Sequence, residues 1–264
     1  MAETAQVRVG TSGYSYQDWV GPVYPPGTPK QDFLSHYARE FSFTELNFSY
    51  YSLPTASTTE RMIQKTPKDF LFAVKAHKSI THEPGAEQDV DRFREGIAPL
   101  ADASRLAAVL LQFPYSFHYI REHRLYLDQV CRRMEALPLA VEFRNDEWHR
   151  DSVLEGFRER GITFVNVDAP ALPRLPPATA AATADTAYIR LHGRNREQWW
   201  KGNATERYDY LYAEEELSEW IDRIMAIVGR AKVLLIAFNN HFRGQSFTNA
   251  RMLRSLLGKR IPVR

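Results

Sequence analysis

The chain has 264 residues, 44% of them apolar and 25% charged, with 34 basic against 32 acidic residues for a net charge of +2. That balance excludes a disordered, highly charged chain and gives no support to a polyanion-coating protein, although a local basic cleft remains compatible with it. The single cysteine, Cys131, excludes an intramolecular disulfide and fits a reducing compartment.

The opening "MAETAQVRVG" lacks a basic segment followed by an apolar run, and the apolar stretches "AAVLL" and "VLLIAF" are too short to span a bilayer. The expectation is a soluble, cytoplasmic protein with no membrane association. In chain order, strands are expected at 7–11, 41–47, 70–76, 107–113, 139–143, 162–168, 186–192 and 232–239. Between them, helical periodicity marks 30–41, 57–65, 89–101, 119–137, 150–161 and 210–230. Gly161 and Gly229 sit where helices stop. The stretch "APALPRLPPATAAATADT" after the sixth strand is too proline-rich for a crossover helix, so that unit is expected to be irregular.

Strands alternating with helices imply parallel β-α units. Eight of them in this length predict an α/β protein, a single TIM-like (β/α)8 barrel domain over 1–264. The competing open doubly wound sheet lacks its glycine fingerprint, since "GTSGYSY" has the wrong spacing.

In a barrel, chemistry belongs at the carboxyl ends of the strands. Successive strand side chains alternate faces, which sorts those ends into two sets. Glu45 and Asn47, Lys75 and His77, Gln112, Glu142 and Arg144, Asn166 and Asp168, Arg190 and His192, and Asn239 each stand opposite apolar, helix-facing neighbours. Seven of the eight ends are therefore expected to aim polar groups at the axis. Each end by itself reads more simply as a wet strand terminus. Their coincidence predicts one cleft.

The segments "VGTSGYSYQDW", "FTELNFSYYSLP", "FAVKAHKSITH", "LQFP", "VEFRNDEW", "VDAP", "IRLHGR" and "FNNHFRGQSFTNA" resemble, in order and over nearly the whole chain, the YecE-like family, domain of unknown function 72. The resemblance implies a TIM-barrel fold. It also implies that the family's polar motif positions fall on Glu45, Asn47, Lys75, Thr81, His82, Glu142, Arg144, Asp168, Arg190, His192, Asn239 and Asn240. His241 and Phe242 depart from the small polar residue expected in the last motif. No reaction comes with the family.

Lys75, Arg144 and Arg190 near one axis are costly unless paired or given an anionic ligand. Glu45, Glu142 and Asp168 are available to pair them in a purely structural network. In the functional reading the three cations clamp an anion, Glu142 or Glu45 acts as base, His192 as acid, and Asp168 completes the catalytic set. Asn47, Gln112, Asn239, Asn240, Tyr14 and Trp19 would line the substrate. His77, His82, Glu45, Glu142, Asp168 and His192 raise zinc or manganese as a cofactor, but no HxxE, HxH or HExxH spacing occurs and nearby cations would repel a metal. A divalent metal is therefore not favoured, and no ligand is assigned.

Aromatic residues crowd the loops after the first, second, fourth, fifth and seventh strands, and "GRNREQWWKGNATER" mixes them with cations. The reading is a hydrolase or lyase acting on a small phosphorylated or nucleotide-like anionic substrate. The alternatives are a nucleic-acid-binding protein without catalysis and a metal-dependent phosphodiesterase or nuclease.

Overall fold

Eight parallel strands hydrogen-bond in sequence order and close into a barrel, the last pairing back onto the first, in a computed structural model that describes residues 5–83 and 87–264. They are β1 (Gln6–Ser12), β2 (Phe43–Leu46), β3 (Leu71–Lys75), β4 (Leu106–Gln112), β5 (Leu139–Glu142), β6 (Thr163–Asp168), β7 (Thr186–Leu191) and β8 (Val233–Phe238). All eight expected strands are present, with ends moved by one or two residues. The amino-terminal reading rests partly on residues 1–4, which lie outside the described residues. Among the described residues no helix is long and apolar enough to cross a membrane.

The principal helices are α1 (Phe33–Tyr37), α2 (Ala56–Gln64), α3 (Glu87–Asp102), α4 (Arg121–Arg133), α5 (Asp151–Glu159), α6 (Ile221–Val228) and α7 (Gln245–Gly258). Local chemistry sets their ends. The Thr55 hydroxyl caps α2 by accepting from the Thr58 N–H at 3.3 Å. Past α5, Gly161 adopts a left-handed φ of +62°, and Ile162 N–H reaches back to the Phe157 carbonyl at 2.9 Å. A side chain at Gly161 would strain this stop. The expected helix over 210–230 is broken into Glu214–Ser218 and α6, and α7 forms in a stretch with no expected helix.

Two apolar layers result. Phe43, Ala73, Leu110, Ala140, Tyr188 and Leu235 fill the barrel interior, while Val74, Leu111, Val141, Ile189 and Ile236 join the layer beneath the helices. This fixes the inward parity of β2, β3, β4, β5, β7 and β8, and it agrees with the expected one.

β6 is the exception. Val165 and Val167 point into the interior cluster, so Asn166 and Asp168 face outward and not toward the axis. No helix lies between β6 and β7. The strand's outer face is covered instead by the irregular segment 169–185, whose buried backbone groups need partners. Asn166 supplies them: its Nδ2 donates to the Ala181 carbonyl at 2.9 Å, and its Oδ1 accepts from Ala181 N–H and the Thr179 hydroxyl, both at 2.7 Å. Thr183 Oγ1 adds a bond to the Ile162 carbonyl and accepts from Phe164 N–H. An apolar outer face would leave that segment unsatisfied.

Candidate functional site

At the carboxyl end of the barrel, side chains that are far apart in sequence form one buried polar network. Arg190 grips Glu45 with two nitrogens, Nε at 2.8 Å and Nη2 at 2.6 Å, while its Nη1 donates to Glu142 and its Nη2 also approaches Ser12 Oγ at 3.4 Å. The Tyr188 hydroxyl donates to Glu45 at 2.5 Å. Glu142 then accepts from His192 Nε2 at 3.1 Å, and Asn239 Nδ2 lies 3.1 Å from His192 Nδ1. Since the Asn239 amide nitrogen only donates, Nδ1 is the acceptor and His192 carries its proton on Nε2.

Electrostatics lock these states. Burial alone would raise the Glu142 carboxyl, but Arg144, Arg190 and His192 hold it well below the usual range. His192 is pushed down to about 3 by burial, helped by Arg144 against the pull of Glu142. Burial, reinforced by Glu45, keeps Tyr188 protonated. Arg190 stays charged because its two carboxylates outweigh the cost of burial. Neither Glu142 nor His192 has any exposed surface, and neither lines the cleft.

The cleft is a cavity of about 980 Å³ above this network. Its floor contains Glu45, Asn47, Lys75, Gln112, Arg144 and Asn239, and its walls carry Tyr14, Tyr16, Tyr50, Tyr115, Trp200 and Tyr208. Arg144 stands with Nε 2.6 Å from Glu142 Oε1, yet that N–H is not aimed at the oxygen and has no hydrogen-bond partner. The contact is an ion pair by distance and not a hydrogen bond by angle. Among the described residues Lys75 has no ion pair; its Nζ sits 4.2 Å from the centre of the Tyr50 ring. Burial, and then Arg190 and Arg144, lower its ammonium to about 7, with Glu45 and Glu142 offsetting only part. His82, edge-on to Tyr50, is lowered to about 4 by burial and by Lys75 and Arg144.

The expected site residues divide accordingly. Glu45, Asn47, Lys75, Gln112, Arg144, Arg190, Asn239 and Tyr14 come together at the cleft. Asp168, Asn240 and Trp19 are corrected by position, as are Glu142 and His192, expected as base and acid but fully buried and absent from the cleft lining. Asp168, facing outward, is held by Arg194 at 2.9 and 3.0 Å, by the Tyr212 hydroxyl at 2.5 Å and by Trp220 Nε1 at 3.0 Å. Asn240, one residue out of phase with Asn239, ties the Tyr210 carbonyl (2.7 Å) to Asn249 on α7 (2.9 Å). Trp19 is fully buried among Tyr16, Tyr24 and Phe247, and donates to the His241 carbonyl at 2.7 Å. Arg190 spends its donors on carboxylates, so it cannot also clamp a ligand without releasing them. His77 caps a short helix through Ser79 and is likewise outside the cleft.

Ser12 and Tyr188 join the network although the sequence pattern does not single them out. Both share the inward parity of their strands, and Ser12 lies one residue past the expected end of the first strand. His241, the departure from the family's motif, stacks on Tyr16 with ring centres 4.5 Å apart. Among the described residues no group of three or more His, Cys, Asp or Glu side chains is placed to hold a metal ion.

A pH dependence follows from His192. Its folded value of about 3 lies below the ordinary 6.5. Between those values the unfolded chain binds a proton that the folded chain refuses, so stability rises with pH and is fully present above 6.5. The expected contribution is up to about 1.4 kcal/mol per pH unit. Urea unfolding from pH 5 to 7, where most carboxylates stay ionised in both states, should show a slope that shrinks in His192→Gln.

Residues 8–263 match the family described as "Protein of unknown function DUF72". The chain is 29% identical over 269 residues to UPF0759 protein YunF of Bacillus subtilis, covering 95% of this chain and 94% of that one. A crystal structure of a DUF72 family protein from Thermotoga maritima is 40% identical with a TM-score of 0.87, covering 96% and 99% of the two chains. One from Enterococcus faecalis is 25% identical with a TM-score of 0.85, covering 96% of each. The structure of SacUVDE, 11% identical with a TM-score of 0.54 and covering 97% and 98%, shares the fold alone.

Proposed function

The chain belongs to the DUF72 family, proteins of unknown function with a TIM-barrel fold, and from the chemistry of its own cleft we propose that it is a hydrolase or lyase acting on a small phosphorylated or nucleotide-like anion. One observation carries this reading. Glu45 and Glu142 are both engaged by Arg190, while among the described residues Lys75 has no ion pair and the Arg144 Nε–H has no hydrogen-bond partner, and these two cations line one cavity. Cations held away from water without full compensation are costly, and a phosphate or carboxylate accepting from Arg144, with Lys75 nearby, would offset that cost. The tyrosines and Trp200 on the walls offer flat faces to a base or sugar.

Within this reading the buried groups act indirectly. Glu142 and His192 orient Arg144 and Arg190 from behind the wall, and Lys75, titrating near neutrality, is suited to move protons. Glu45 reaches the cavity with both oxygens already engaged.

Calorimetric titration with AMP, inorganic phosphate and adenosine tests the proposal. AMP and phosphate should bind. Arg144→Gln should weaken both by about 10- to 100-fold, the worth of a charge-assisted hydrogen bond. Adenosine should bind poorly. If no phosphate-bearing ligand binds, the reading fails. The non-catalytic nucleic-acid reading draws on Trp200, 52% exposed beside Lys201. It would show instead as oligonucleotide affinity that falls steeply with salt and survives Arg144→Gln.

A further inference from the structure

We propose that Lys75 is a covalent nucleophile, forming an imine through Nζ with the carbonyl carbon of a phosphorylated aldehyde or ketone whose phosphate lies against Arg144. The inference deepens the anion-binding reading, rests on it, and selects its lyase branch.

Position is the first argument. Lys75 is the last residue of β3, shares the inward parity of Ala73, and stands on the cavity floor, where a strand-end side chain is firmly held and open to a ligand. Its surroundings are the second. A lysine kept for charge alone would be expected to sit against a carboxylate, and two are close by. Both are taken: Glu45 by the fork of Arg190 and by Tyr188, and Glu142 by Arg190, His192 and Arg144. Lys75 is left facing the Tyr50 ring, with the cations Arg144 and Arg190 beside it and with Glu45 and Glu142 offsetting them only in part. Burial combined with adjacent cations is the environment that frees an amine of its proton and makes it nucleophilic, and the lowering to about 7 agrees.

The third argument is the division of labour on the floor. Arg144 lines the cavity with its side chain 13% exposed, and among the described residues its guanidinium makes no hydrogen bond, so a bound phosphate would not depend on Lys75. The chemistry balances without an outside oxidant or reductant. The Nζ lone pair adds to the carbonyl carbon, a C–N bond forms as the C–O π bond opens, and an Nζ proton passes to the oxygen. With one proton from solvent, the carbinolamine loses water and leaves a protonated imine. That cation accepts the electron pair of a breaking α C–H bond, whose proton passes to solvent, or of an α,β C–C bond, whose β-carbon leaves as an aldehyde while its hydroxyl proton passes to solvent. The enamine that forms is protonated at carbon, and water hydrolyses the imine to restore the amine.

Dihydroxyacetone phosphate with sodium borohydride is the direct probe, since reduction converts the imine into a stable secondary amine. Peptide mass mapping should place one adduct on Lys75. Inorganic phosphate should protect against it, dihydroxyacetone should label it at least tenfold more slowly, and Lys75→Arg should lack it while still binding phosphate by calorimetry. Adducts absent, or spread evenly over the surface lysines, in protein that binds phosphate would overturn the inference and leave the anion reading standing. No phosphate binding and no adduct would overturn both. Labelling of Lys75 that is equally fast with dihydroxyacetone and unaffected by phosphate would support the nucleophile and overturn the anion clamp.

Discussion

Replacing Arg190 with leucine is expected to lower unfolding stability by about 3–5 kcal/mol, because it leaves Glu45 and Glu142 buried without their counter-ion. The urea midpoint should fall with an unchanged slope. Arg190→Lys should recover only part of the loss, since an ammonium cannot reproduce the two-nitrogen grip on Glu45 while also reaching Glu142. Arg190→Leu combined with Glu45→Gln should lose less than the sum of the two single changes. The opposite pattern, unchanged stability with ligand affinity lost, would return Arg190 to the anion clamp expected from three cations near one axis.

Asp168→Asn is expected to cost about 3 kcal/mol and to loosen the loops that follow β7. The carboxylate binds Arg194, Tyr212 and Trp220 at once, so it fastens the 193–220 stretch to the barrel's outer wall. Gly193 belongs to the same join: its N–H donates to the Tyr212 hydroxyl at 2.8 Å from a left-handed φ of +88°. Amide exchange over 194–220 should accelerate in the variant while the strands stay protected. A direct catalytic part for Asp168 would predict the reverse, intact stability and protection with only turnover lost.

These two residues also show how far the pattern of the chain could be read. Alternation places Arg190 and Glu45 on the axis, where both stand, because the pleat has a strict period of two. Their partnership was not visible, since 145 residues separate them and charge type alone allowed Arg190 to hold a ligand equally well. Asp168 failed differently. Its strand alternates as the others do, but the rule that apolar residues face outward assumes a helix outside to pack against. The prolines of 169–185 had already signalled that no helix would form there. The consequence, that irregular backbone demands polar partners and so inverts the strand's facing, is a tertiary one. Asn240 and Trp19 were misplaced by their motifs, which gave neighbourhood in sequence without phase or depth.

By itself, then, the sequence determined the barrel, the order of its strands and the inward parity of those that helices cover, because period and punctuation are local properties of the chain. The closed structure decided which carboxylate faces which cation, which way β6 turns its polar side, and which residues reach the cleft. Those outcomes depend on distances across the barrel and on what packs behind each strand. That is why Arg190 is used up on Glu45 and Glu142, while Lys75 and Arg144 are left facing the cavity.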